Sequence, residues 1–117
     1  MRSASEPELT EQADRTSPHP AMGAMDLLGQ RWTLRVIWEL EPGPLGFLEL
    51  RRRMGNCSSS MLSERLQRLQ RHGILEKRAD KTYELAFAGT ELSNALQQLW
   101  DWSERWASNL TPETTAE

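Results

Sequence analysis

The apolar positions of this chain form five helical stretches and one short interval of alternation. From His19-Pro20 a short helix carries Ala21, Met25 and Leu28 on one face, with Met22 beside them, and Gly29 ends it. A second, Arg31 to Leu40, sets Trp32, Val36, Ile37 and Leu40 on one side, widened by Leu34 and Trp38. So apolar a circumference predicts a central helix whose tryptophans pack in the core. Glu41-Pro42-Gly43-Pro44 stops it, and Leu45-Gly46 is a candidate edge strand. A third helix is predicted from Phe47 to Met54, with Phe47, Leu50 and Met54 inward, Arg51 and Arg52 on the other side and Arg53 nearby. Gly55-Asn56 turns the chain.

The stretch Ser58 to His72, SSSMLSERLQRLQRH, is the fourth helix. Its serines supply an N-cap, since a short hydroxyl accepts from the orphan N–H groups of the first turn. Leu62, Leu66 and Leu69 make one apolar stripe. Ser60, Ser63, Glu64, Gln67, Arg68 and Arg71 lie opposite. Gly73 is placed to take the left-handed conformation that ends a helix. After it the period changes to two. Ile74–Ala79 and Thr82–Phe87 read as paired strands joined at Ala79-Asp80-Lys81. The last helix, from about Ala88 to Asn109, carries Leu92, Leu96, Leu99, Trp102, Trp106 and Leu110 at helical spacing.

The order helix, turn, helix, basic hairpin predicts a mainly α fold with a small β-hairpin wing, a winged helix-turn-helix. The helix-turn-helix pair is Phe47–Met54 and Ser58–His72, with the latter as recognition helix. Taken alone, its polar face reads better as a solvated surface; the basic hairpin behind it shifts the reading to DNA. The terminal helix holds more apolar surface than so small a domain covers, which predicts a dimer built on Met22, Leu92, Leu96, Leu99, Trp102 and Trp106. The alternative is that it packs back on its own domain. Residues 1–18 are polar and acidic and are expected to be a disordered tail. Residues 19–110 are expected to form the domain, and 111–117 a frayed, disordered tail.

The 117 residues suit one domain, and 38% apolar content supports a core. Nothing reads as a signal peptide or membrane span. One cysteine, Cys57, rules out an internal disulfide framework and points to the cytoplasm. Scattered His and Cys give no metal-ligand spacing, and no cofactor motif appears. Net charge is −3, but its distribution reverses the inference. Residues 51–81 hold nine basic and three acidic side chains, net +6; residues 83–117 hold one basic and six acidic, net −5. Salt screens charges beyond about 8–10 Å, so the local +6 governs attraction to phosphate.

The expected partner is double-stranded DNA. Ser59, Ser60, Ser63 and Gln67 are the base-edge candidates. Arg68 and Arg65 are phosphate or guanine contacts, with Arg65 alternatively bracing the fold. Arg51 and Arg52 are phosphate clamps or a solvated charge run. Lys77, Arg78 and Lys81 belong to the wing. Glu64 is expected to face a neighbouring Arg, such as Arg68 at i+4. Cys57 reads as a small buried hydrophobe, or else as a thiol activated at a helix N-terminus. No nucleophile–base pair, carboxylate dyad or phosphate loop points to an enzyme. The rival reading is a winged-helix protein-interaction module with weak non-specific DNA binding. A small-molecule effector, unknown in identity, would fit a pocket between dimer helices lined by Trp32, Trp38 and Trp102.

The runs Leu27-Leu28-Gly29-Gln30-Arg31-Trp32-Thr33-Leu34, Pro42-Gly43-Pro44-Leu45-Gly46-Phe47 and Met61-Leu62-Ser63-Glu64-Arg65-Leu66 occur in this order. Over residues 19 to about 107 the chain resembles the HxlR-type family of bacterial transcription regulators, related in fold to MarR-type regulators. The resemblance implies a homodimeric winged helix whose terminal helices form the dimer. Its recognition helices would enter successive major grooves of a pseudo-palindromic operator and repress or activate nearby genes, with repression favoured here. The chain departs from the family's pattern in several places. His19-Pro20 stands where many relatives have Cys-Pro, the sensor of thiol-sensing members, and a histidine cannot do thiol–disulfide chemistry. Gly46 replaces a usual Arg and Ser60 a usual basic residue. The wing is shorter, and Ala86-Phe87 replaces a Thr-Pro corner.

Overall fold

The computed structural model describes residues 19–116; the predicted acidic tail, 1–18, lies outside them, as does Glu117. Five helices and one hairpin follow in order: α1 (Pro20–Leu28), α2 (Thr33–Leu40), α3 (Phe47–Arg53), α4 (Ser59–Arg71), β1 (Leu75–Lys77), β2 (Tyr83–Leu85) and α5 (Phe87–Ala116). The chain divides into two compact units between Arg35 and Val36, inside α2.

In the first unit, α1 begins where expected because two features favour it. His19 is its N-cap, its Nδ1 accepting from Ala21 N at 3.0 Å, and Pro20 occupies the first turn, where its missing N–H costs nothing. Gly29 closes the helix by donating to Met25 O at 2.8 Å. Helix α2 starts at Thr33 rather than at Arg31. Trp32 sits at φ 77°, the left-handed region, so it cannot belong to a right-handed helix. The Arg31 guanidinium lies 5.5 Å from the Trp32 ring centre.

The second unit has its own core: Val36, Ile37, Leu40, Leu50, Met54, Leu62, Leu66, Leu69, Leu75 and Tyr83 are buried. All three leucines of the predicted α4 stripe are in it. Trp38 is not; it is 46% exposed, contrary to the expected core position. On α2, Val36, Ile37 and Leu40 take the inward face and residue 38 falls about 150° around the helix from its centre, where Trp38 meets Trp100 edge to face.

The strands pair antiparallel with Leu75 opposite Leu85, Glu76 opposite Glu84 and Lys77 opposite Tyr83. They are shorter than the predicted runs, because Arg78–Thr82 closes a turn: Arg78 N donates to Thr82 O at 2.7 Å and Lys81 N to Arg78 O at 2.9 Å. Leu45 adds an antiparallel bridge to Tyr83 through two backbone bonds, 3.0 and 2.8 Å, as the edge-strand expectation requires. Helix α4 packs on β1 and α5 on β2. Gly89 lets α5 approach the hairpin: a Cβ there would lie 2.2 Å from Ile74 O. Helix α5 continues to Ala116, past the predicted end at Asn109. No helix among the described residues is long and apolar enough to cross a membrane.

Candidate nucleic-acid interface

Helix α3, a turn and α4 form the helix-turn-helix. The turn uses two left-handed residues, Gly55 at φ 73° and Asn56 at φ 57°, types that tolerate this region. Arg51 ties it from both sides. Its carbonyl accepts from Asn56 N at 2.9 Å, and its Nε donates to Cys57 O at 2.6 Å. The sequence offers Arg51 as a phosphate clamp or part of a solvated charge run; its Nε braces the entry to α4. Cys57 is half-buried there.

Ser58 caps α4, its Oγ accepting from Met61 N at 3.2 Å, and its hydroxyl lies 3.1 Å from that of Ser60. At the other end His72 is the C-cap and Gly73 takes φ 75°, with Ile74 N donating back to Leu69 O at 2.9 Å. Both stops are those the sequence predicts. With about 100° per residue, burial of Leu62, Leu66 and Leu69 turns Ser60, Glu64, Gln67 and Arg71 fully outward, and all four are exposed. Ser59 is exposed on one flank and Ser63 half-buried beside it, within 3.5 Å of Gln67 Nε2. The predicted contact set omits Arg71, although it lies on the outermost row; helical phase alone identifies it.

Glu64 faces a neighbouring Arg as expected, though the partner is Arg65 and not Arg68. Glu64 accepts from the neighbouring Arg65, whose side chain is only 17% exposed. Arg68 is half-buried, and its Nε is buried without a hydrogen-bond partner. Residues 65 and 68 flank the apolar stripe, so their aliphatic stems lie along the protein and only their ends reach outward.

On α3, Arg52 and Arg53 converge on Glu49, Arg53 Nε at 2.8 Å. These bonds, that of Arg53 foremost, hold the Glu49 carboxyl below its usual range. In the wing, Lys77 lies 5.4 Å from the Tyr83 ring centre, and Arg78 reaches Glu84 at 3.2 Å and Asp80 at 3.7 Å. Lys81 sits exposed at the tip with φ 72°. Asp80 Oδ1 accepts from Thr82 Oγ1 at 2.6 Å and Thr82 N at 3.0 Å, closing the turn. The Thr82 hydroxyl, then its N–H, hold the Asp80 carboxyl below its ordinary value. A depressed folded value means the stabilisation is present above the unfolded pKa and is lost as pH falls through the folded one. The expected result is an NMR titration midpoint for Asp80 below that of an unconstrained aspartate, moving up in Thr82→Val. An unchanged midpoint in the variant would remove the hydroxyl as the cause.

The arrangement offers hydrogen-bonding groups on an exposed helix, cations on the neighbouring helix and a cationic wing tip, the three parts with which a winged helix meets a groove and its phosphates. A family model described as an HxlR-like helix-turn-helix matches residues 27–111. The HTH-type transcriptional regulator YodB of Bacillus subtilis is 33% identical over 86 residues, 72% of this chain and 77% of that protein. The crystal structure of quinone-bound YodB matches with a TM-score of 0.68 at 34% identity, covering 74% of this chain and 98% of that one. A possible HxlR family transcriptional factor from Thermoplasma volcanium matches with a TM-score of 0.68 at 28% identity, covering 77% and 86%. With its recognition helix, wing and family signature in register, this chain belongs to the HxlR-like helix-turn-helix family of DNA-binding transcription regulators.

Proposed function

We propose that the protein is a homodimeric repressor in the cytoplasm that binds a pseudo-palindromic operator of double-stranded DNA, and that it is not an enzyme. The observation that carries this reading is the exposed row of α4, flanked by the cations of α3 and the wing. Ser59, Ser60, Ser63 and Gln67 read base edges; Arg65 and Arg68 reach phosphate or guanine with their terminal nitrogens. Arg51, Arg52, Lys77, Arg78 and Lys81 contact the backbone, Lys81 with the most freedom. Two recognition helices about one turn of DNA apart fit a two-fold site. Occupying the operator suffices to repress.

The dimer is assigned to Met22, Leu92, Leu96, Leu99, Trp102 and Trp106. Trp102 and Trp106 support this: both are about half exposed, and their rings stack at 5.5 Å with an interplanar angle of 7°. Such rings gain most by burial against a partner. Replacing both with serine is expected to cost roughly 3 kcal/mol, about a hundredfold in dimer Kd. Sedimentation equilibrium measures it; an unchanged Kd would move the interface elsewhere.

The quinone-bound relative supports an effector-responsive reading. Here His19 uses its Nδ1 to cap α1, so an effector acts without a thiol at that position. The decisive experiment is fluorescence anisotropy of the protein with the DNA upstream of its own gene, at low and moderate salt, beside a scrambled duplex. Binding should prefer the native duplex, weaken steeply with salt, and fall about tenfold in Arg68→Ala. Equal, weak binding to both duplexes would favour the protein-interaction reading.

A further inference from the structure

Away from the basic face, one half-buried carboxylate is held by neutral donors. Glu41 lies in the loop after α2 and is half-buried. Its Oε2 accepts from the Ser93 hydroxyl and from Trp100 Nε1, the latter at 3.4 Å. Among the described residues, Oε1 has no hydrogen bond and no Lys or Arg pairs with the group. Ser93 is 8% exposed, so its hydroxyl is a fixed donor. Beside this carboxylate stands the Trp100 indole. Trp38 and Trp100 meet edge to face, ring centres 5.1 Å apart at 83°. Ser93 and Trp100 belong to the sequence segment 83–117, whose formal charge is −5.

We infer that Glu41, Trp38 and Trp100 form a binding site for a compact organic monocation of the quaternary-ammonium class. The chemistry is complementary. Neutral donors hold the carboxylate but leave its charge uncancelled. An indole face is the strongest aromatic partner for a weakly hydrated cation, and a partly desolvated site raises that attraction. An inorganic cation would forfeit too much hydration against a single carboxylate. These three residues and the donor Ser93 all lie in the second compact unit. Trp100 is about 100° around α5 from Leu99, beside the proposed dimer face. The site does not depend on the operator reading.

The test uses the full chain and follows its indole N–H resonances by NMR at constant ionic strength. The probes are choline and 3,3-dimethylbutan-1-ol, which share shape and differ in charge. Choline is expected to shift the Trp38 and Trp100 resonances saturably, whereas the alcohol needs at least about tenfold more. Glu41→Gln should erase that advantage with its thermal midpoint unchanged, because an amide oxygen can still accept from Ser93 and Trp100. Trp38→Leu, at a half-exposed position, should weaken choline several-fold. Equal binding of the two probes, no saturable shift at Trp38 and Trp100, or a preference retained in Glu41→Gln would overturn the assignment.

Discussion

Ser60→Glu is expected to lower operator affinity by on the order of a hundredfold while leaving the fold as stable as before or slightly more so. Ser60 is exposed in the first turn of α4, two residues after the Ser58 cap. A carboxylate there complements the positive end of the helix dipole, worth about 0.3–1 kcal/mol at an exposed position. The lost hydroxyl contact with Ser58 matters little, since Ser58 keeps its bond to Met61 N. The same charge faces whatever α4 meets. Against phosphate and the acceptor-rich major groove it is repulsive and displaces a hydrogen-bonding group. Stability and binding thus move in opposite directions, which separates a DNA contact from a folding defect. Thermal melting and anisotropy on one preparation measure both. Retained binding with an unchanged melt would mean that the exposed row of α4 does not meet DNA.

Gly89→Ala is expected to cost about 3 kcal/mol, lowering the melting midpoint by roughly 10–20 °C. The new Cβ would lie 2.2 Å from Ile74 O and 3.2 Å from Leu85 Cβ. Ile74 O is backbone, and it accepts from Ala86 N at 2.8 Å. It cannot swing aside as a side chain would. Relief must move α5 off the hairpin, and that loosens the packing of α5 on β2. Gly43 is the control. Nothing lies within 4 Å of the place a Cβ would take there, and its φ is not left-handed, so Gly43→Ala should be near neutral. Matching melts for the two variants would show that the corner can relax.

Both outcomes trace back to what local sequence encodes and what it does not. The α4 stripe is legible because Leu62, Leu66 and Leu69 carry their phase in their spacing, and Ser58 and Gly73 mark the ends with conformational preferences of their own. His19-Pro20 encodes the start of α1 in the same way. The hairpin is legible from its change of period, though its strands are shorter because the Asp80–Thr82 turn takes residues from both. These features depend on neighbours within a turn or two.

The partners of charged side chains are not legible. Glu64 could reach Arg65 or Arg68, and the sequence offers both; the burial of the Arg68 stem along α4 leaves Arg65 as its partner. Arg51 becomes a brace because the turn brings Cys57 O to its Nε. Trp32 leaves the helix because its backbone turns left-handed just ahead of Thr33. Glu41 meets Ser93 and Trp100 across 52 and 59 residues, a contact no spacing rule contains. By itself the sequence determined the order of the helices, the inward face of α4 and the family, since periodicity, caps and turns act locally. Only the tertiary structure decided which polar groups remain available, because each such pairing is a competition among partners that the packed backbone brings within hydrogen-bond reach.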